Sequence, residues 1–285
     1  LRGPGVGDDS LGLATLLSLC RLLPEEQPGN LILVATTSTE GQGNLRGSRY
    51  FVKNCRDPLG FVVCLEGHGL GRIDHWSLGT LRLHIEAQSK GGHVWRDRTG
   101  ENPIEVMSDI ISKLKDVKKS VAGEKDFGII NPGRIKGGRA FNTVPYGCEL
   151  DLEIRSDATE TLNELCEKVF AIVKEIDNET TVKLRIREVS RRPVSGIEPD
   201  HWLVETVSEL HKQLAIDSRL GPASSDGCIF LDSGIPTITL GLARGSNRHR
   251  KSESIAIDSL NAGQLQTVLS IIAARRRLIK IKNEN

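Results

Sequence analysis

The chain has no excess of charge. Its 38 Lys and Arg against 37 Asp and Glu leave a formal net charge of +1 over 285 residues. That balance removes the electrostatic reason to expect nucleic acid or an anionic membrane as partner. Long hydrophobic runs are missing too, the longest falling far short of the roughly 20 residues that a membrane-spanning helix needs. No early segment joins a basic stretch, an apolar stretch and a small-residue cleavage site, so no signal peptide is legible. The six cysteines, Cys20, Cys55, Cys64, Cys148, Cys166 and Cys228, contain no Cys-x-x-Cys pair. Several fall in apolar patterns as buried thiols do, so reduced cysteines in a cytoplasmic protein are expected. Gly5-Val6-Gly7 lacks the spacing of a phosphate-cradling loop, which sets aside a nucleotide-binding α/β protein. Repeats and low-complexity tracts are absent, and so is an initiator methionine, so the chain is read as an N-terminally truncated fragment.

What is present alternates between helix and strand patterns. Residues 8–23 predict a helix, capped by Asp8 or Asp9, with Leu13, Leu16, Leu17 and Cys20 on one face and Pro24 after its end. Residues 31–37 form a continuous apolar and β-branched run, as a strand covered on both faces does. A helix over 43–54 and a second buried strand over 61–65 follow. This alternation predicts an α/β fold with a mostly parallel sheet. After Trp76 the rhythm changes to strand 78–88, helix 103–117, strands 127–136 and 146–155, helix 158–176 and strand 180–189. That β-α-β-β-α-β order is the ferredoxin-like motif. Helix 201–214, strand 237–242 and helix 259–280 return to the first pattern, and the basic residues near the end suit the C-terminus of a helix. The expected organisation is a discontinuous α/β domain, 1–76 and 192–285, with a ferredoxin-like domain, 77–191, inserted.

Four residues at the ends of the apolar runs could carry chemistry. Asp8 precedes the first helix; because Asp9 caps it equally well, Asp8 is free to point elsewhere. Glu40 follows the 31–37 run, and Glu66 stands between Leu65 and Gly67. A carboxylate among apolar and glycine neighbours is costly unless paired or metal-bound. His249 follows the 237–242 run, flanked by Arg248, Arg250 and Lys251. Three oxygen donors and an imidazole suit zinc, cobalt or manganese, and open α/β sheets gather ligands beyond their strand ends.

Motifs along the whole chain carry a resemblance. They are Gly3-Pro4-Gly5-Val6-Gly7-Asp8-Asp9, Thr39-Glu40-Gly41, Phe61-Val62-Val63-Cys64-Leu65-Glu66-Gly67, Gly91-Gly92-His93, the stretch from Gly137 to Pro145, and His249 with Glu253. In this order they resemble the metal-dependent (di-zinc) exopeptidase and amidohydrolase family of aminoacylase, carboxypeptidase G, acetylornithine deacetylase, succinyl-diaminopimelate desuccinylase and peptidase T. The resemblance implies two divalent metal ions, zinc foremost and cobalt or manganese as alternatives. Asp8 would bridge them, Glu66 would bind one, and Glu40 and His249 the other. It further implies that the inserted domain is a lid that forms a homodimer, with His93 polarising the scissile carbonyl of the neighbouring site. Asn142 would help hold substrate and Arg155 would clamp a substrate carboxylate. The implied reaction is hydrolysis of an amide or peptide bond in a small substrate by metal-activated water.

The chain departs from that family in four places, one of them in the lid, where Glu153 replaces the aspartate usual two residues before the arginine. Thr39 stands where the family has its general-base glutamate, and a threonine hydroxyl cannot accept a proton near neutral pH. The His-x-Asp segment that precedes the Asp8 motif in the family has no counterpart here. Cys228 replaces an asparagine in Ser224-Ser225-Asp226-Gly227-Cys228, where Asp226 is expected to orient a loop near the site. Two readings follow: a metallo-amidohydrolase or exopeptidase of N-acyl amino acids or short peptides, and a catalytically silent relative serving as a metal-binding or dimerisation module. Arg139, Arg155 and Arg244 make a free carboxylate on the substrate an expectation as well.

Overall fold

The computed structural model describes residues 1–23, 29–39, 43–97, 100–121 and 128–284. In chain order the elements begin with α1 (Ser10–Leu22), α2 (Arg46–Asn54), β1 (Val62–His68) and β2 (Arg72–Ser77). Then come β3 (Gly79–Gln88), β4 (Gly92–His93), α3 (Pro103–Val121), β5 (Gly128–Gly137), β6 (Thr143–Val144), β7 (Gly147–Ser156), α4 (Thr159–Glu179) and β8 (Lys183–Arg192). The chain closes with β9 (Ser195–Gly196), α5 (Trp202–Gln213), β10 (Arg219–Ala223), α6 (Gly227–Asp232), β11 (Thr237–Ala243), β12 (Gly245–Ser246), β13 (Ser254–Ile255) and α7 (Leu260–Glu284). Two compact units result, one from Leu1–Ser77 with Ser195–Asn285, the other Leu78–Val194.

In the first unit the sheet runs β1-β11-β2-β10, with β9 beside β2. β1 pairs with β11 and β10 with β2 in parallel, while β2 enters antiparallel to β11, so the sheet is mixed. All seven residues of β11 are buried, as a central strand covered on both faces requires. Ile73 of β2, Ile238 and Leu240 of β11, Leu203, Val204 and Val207 of α5 and Ala274 of α7 form the core on one side. A smaller cluster of Leu45, Cys228 and Ile229 packs α2 against α6.

Two sequence expectations differ here. Residues 31–37 form neither helix nor strand and pair with none of the described strands, so their apolar pattern marks the wall of a cavity rather than a sheet member. The face of α1 predicted to be buried, Leu13, Leu16, Leu17 and Cys20, is largely exposed: Leu17 is 73% accessible. Gly12, Thr15 and Leu19 are buried instead. Gly12 and Thr15 carry small side chains, which lets the helix approach β1 closely.

The second unit is an antiparallel sheet in the order β5-β7-β3-β8. With α3 and α4 this is the ferredoxin-like arrangement expected from the order of elements. β7 alternates between partly and fully buried residues, so Cys148, Leu150, Leu152 and Ile154 turn to the helices and Glu149, Asp151, Glu153 and Arg155 to the other face. Met107, Ile110 and Leu114 of α3, and Leu165, Val169 and Val173 of α4, complete this core.

Candidate functional site

The hairpin β12–β13 determines the site. Its loop bends back through Asn247 and His249, both with left-handed backbone (φ 57 and 63), and presents Arg248 and His249 side by side. Asp8 precedes α1, whose N-cap is the neighbouring Asp9: the Asp9 Oδ1 accepts from the Gly12 amide at 3.1 Å. Burial pushes the Asp9 carboxyl up to about 7, and the Asp8 charge adds to the rise against hydrogen bonds from the Gly12 and Gly67 amides. Glu66 lies inside β1, which runs on to His68.

Asp8, Glu66 and His249 share one neighbourhood. His249 Nε2 meets Asp8 Oδ2 at 2.6 Å. The Arg248 Nε donates to the same oxygen at 2.9 Å, while its Nη2 donates to Glu66 Oε2. One guanidinium thus spans the two carboxylates. Both carboxylates are mostly buried, at 18% and 21% side-chain accessibility, whereas His249 is 63% exposed. Glu40 lies outside the described residues.

The Asp8 segment is held from behind by Glu253, which is 1% exposed. Its Oε1 accepts from the Gly7 amide at 2.9 Å and the Asp8 amide at 2.8 Å, and its Oε2 from the Gly5 amide at 2.9 Å. His68 Nε2 donates to Oε1 at 2.9 Å. The His68 bond and the Asp8 amide hold the Glu253 carboxyl down at about 2. Two glycines make room: a Cβ on Gly67 would strike the Gly7 carbonyl, and one on Gly7 would strike the His68 ring.

Thr39 Oγ1 donates to Asp226 Oδ2 at 2.8 Å, and Thr36 Oγ1 donates to the same oxygen at 3.1 Å. Ser48 Oγ on α2 donates to Oδ1. Asp226 therefore ties the 36–39 segment to α2. Asp8, Glu66, Thr39 and Asp226 line a cavity of about 1040 Å³ whose remaining wall is mostly apolar, including Leu33, Phe51 and Ile271.

The other expected residues belong to the second unit. His93 sits on β4, opposite Thr143 of β6; its Nδ1 accepts from the Trp95 amide at 3.2 Å. Asn142 is exposed just before β6, and its carbonyl accepts from the Val94 amide, so these two residues are neighbours. Arg155 Nε donates to Glu153 Oε1 at 2.6 Å, and Arg82 Nε donates to Oε2 at 2.7 Å. Burial alone would raise the Glu153 carboxyl, yet those two guanidiniums outweigh it and hold it low. Arg139 is exposed, and Arg244 pairs with Asp258 at 2.5 Å.

Two carboxylates joined through one guanidinium, with an imidazole on one of them, are donors of the kind that suits a divalent cation. Among the described residues no three His, Cys, Asp or Glu side chains are arranged around a single point to hold a metal ion. What the carboxylate pair holds is a cation of the chain's own, the Arg248 guanidinium, so the donor chemistry fits a positive charge there. Sequence reasoning missed Arg248, because a cation flanked by other cations in a loop reads as solvated surface. Glu253 was legible only as the acid four residues after His249.

Known proteins resemble the chain in sequence and in fold. Residues 77–181 match the family pattern of the peptidase dimerisation domain, and residues 1–90 match peptidase family M28. The chain is 25% identical over 262 residues to an acetylornithine deacetylase of Salmonella arizonae, covering 89% of this chain and 67% of that protein. It is 27% identical over 232 residues to the acetylornithine deacetylase of Klebsiella pneumoniae, covering 78% and 58%. The chain thus spans about two thirds or less of the length of these relatives. In fold it is similar to a tripeptidase of Staphylococcus aureus (TM-score 0.75, 22% identity, 94% of this chain and 71% of that one). It is likewise similar to the aminopeptidase PepT of Bacillus cereus (TM-score 0.74, 19% identity, 95% and 72%). By these matches the chain is similar in sequence to acetylornithine deacetylases and, over parts of its length, to two peptidase family patterns, and in fold to a tripeptidase and an aminopeptidase.

Proposed function

We propose that the chain is a hydrolase of amide or peptide bonds in small substrates, with N-acyl amino acids and short peptides as the substrate classes. The observation that carries this reading is that Arg248 joins Asp8 to Glu66 while His249 bonds to Asp8, within a chain similar to acetylornithine deacetylases over most of its length. Asp8, Glu66 and His249 would hold divalent metal, two ions with Glu40 included, zinc foremost. When bound, such ions polarise a carbonyl and lower the pKa of water. Glu253 fixes the Asp8 backbone so that the carboxylate faces Glu66. The cavity has the size of a small-molecule pocket, and its apolar wall suits an acyl or aliphatic side chain.

In the second unit, Arg155 would clamp a substrate carboxylate after releasing Glu153. His93 and Asn142, adjacent across β4 and β6, would act on the scissile carbonyl and hold substrate, His93 serving the partner copy of a homodimer. Free thiols at all six cysteines support a reducing compartment such as the cytoplasm, and no helix among the described residues is long and apolar enough to cross a membrane.

A second reading has its own observation. Thr39, at the position of the family's general base, donates a hydrogen bond to Asp226 and has no carboxylate to take a proton from water. A silent metal-binding or dimerising relative would look the same. General-base catalysis is typically worth about 10²–10⁴-fold. Replacing Thr39 by Glu therefore decides between them. Zinc- or cobalt-dependent cleavage of N-acetyl amino acids or di- and tripeptides that rises by about that factor supports the hydrolase. Absence of cleavage in both chains supports the silent relative.

A further inference from the structure

Arg248 is a charged group at this site to which the proposed chemistry gives no role. It is not a stray surface cation. The hairpin loop aims it inward, its guanidinium reaches Asp8 and Glu66 together, and its side chain is only 34% exposed. Asp8 Oδ2 receives both Arg248 Nε and His249 Nε2, so the oxygen best placed to bind a metal is engaged twice by this loop. Arginine stays protonated at every working pH, and its planar fork matches carboxylate geometry in a way an ammonium does not.

We infer that Arg248 is a built-in competitor for the divalent cation. Its guanidinium neutralises Asp8 and Glu66 in the metal-free chain and must swing out of their shared space before metal binds. The reason is electrostatic. Two carboxylates spanned by one guanidinium lie close enough to repel each other in a partly buried setting. A guanidinium between them removes that repulsion, and a divalent cation brought to the same oxygens would face its charge at contact distance. Metal uptake is thereby coupled to movement of the loop segment that carries Arg248 and His249, while Glu253 stays anchored behind Asp8. Because the same loop carries His249, departure of Arg248 also frees His249 from Asp8. This rests on the proposed reading of Asp8 and Glu66 as metal ligands.

The test is zinc binding by the full chain, titrated calorimetrically with zinc ion alone in the wild type, Arg248→Gln, Asp8→Ala and the double variant. Arg248→Gln is expected to bind zinc about tenfold more tightly or better, since removing a like charge a few ångströms away is worth at least that factor. Millimolar guanidinium ion should weaken zinc binding in Arg248→Gln more than in the wild type. Asp8→Ala should abolish binding in both backgrounds. If Arg248→Gln binds no more tightly than the wild type while Asp8→Ala still abolishes binding, the competitor role is overturned and the ligand reading stands. If binding is indifferent to Asp8, both fall. Should circular dichroism show Arg248→Gln unfolded, Arg248→Lys carries the same test. Its point charge cannot bridge both carboxylates, so it must bind zinc more tightly than the wild type, and equal binding overturns the proposal.

Discussion

Replacing Glu253 by Gln should loosen the Asp8 segment more than any other single change of comparable shape. The buried carboxylate accepts three backbone amides and the His68 imidazole. Glutamine keeps one acceptor oxygen and turns the other into an amino group, which sets an N–H against the N–H of Gly5 if Oε1 keeps its partners. The three surviving bonds fall from about 1.5–3 kcal/mol, as bonds to a charge, to about 1 kcal/mol each, and an unpaired buried donor costs about 1–3 kcal/mol more. The sum is roughly 3–9 kcal/mol, which at about 2–4 °C per kcal/mol for a unit of this size lowers Tm by roughly 6 °C or more. Thermal unfolding at pH 7 checks it, with hydrogen exchange at the Gly5, Gly7 and Asp8 amides as the local readout. The pH dependence is a second check. Glu253 titrates in the folded chain at about 2, below its ordinary 4.5, so its stabilisation is fully present above about 4.5 and is lost as pH falls towards 2. The gap between wild type and Glu253→Gln should therefore narrow as pH drops below about 4.5. A Tm within 2 °C of wild type, or a gap that stays constant from pH 7 to 3, would refute the reasoning.

Three further outcomes follow from the same structure. Asp226→Asn weakens the hydroxyl donations of Thr36, Thr39 and Ser48, so the 36–39 segment should become protease-sensitive and stability should fall by about 2–3 kcal/mol in denaturant titration. Gly67→Ala places a methyl group on the Gly7 carbonyl and should cost about 1–3 kcal/mol or abolish soluble expression; a neutral result would contradict the close approach of the two segments. Among the cysteines, exposed Cys20 should react first with a thiol reagent at pH 8. Cys148, Cys166 and Cys228 should wait for unfolding, since burial hides all three and raises the Cys148 and Cys166 thiols.

Strong periodicity made the second unit legible. Alternation in β3 and β7 and two amphipathic helices state both the elements and which side of each faces the core. The first unit was harder because its pairing partners lie far apart. β2 reads Arg72-Ile73-Asp74-His75-Trp76-Ser77, too polar for a core strand, and becomes one only through β10 and β11 more than a hundred residues later. β10 contains Gly221 and Pro222, which as local signals mean a turn. Residues 31–37 show the opposite error: strand propensity is present, but a strand needs a hydrogen-bonded neighbour. At the site, residue types and strand ends pointed to Asp8, Glu66 and His249. That Arg248 lies between two carboxylates 240 and 182 residues away is a property of the fold, and no local pattern encodes it.

The most direct test of the account is the zinc content of the purified chain after equilibration with zinc, measured by elemental mass spectrometry beside Asp8→Ala and His249→Ala. Zinc should be retained by the wild type, more strongly by Arg248→Gln, and lost on replacing Asp8 or His249. Equal zinc in all four chains, or none in the wild type and Arg248→Gln alike, would contradict the account.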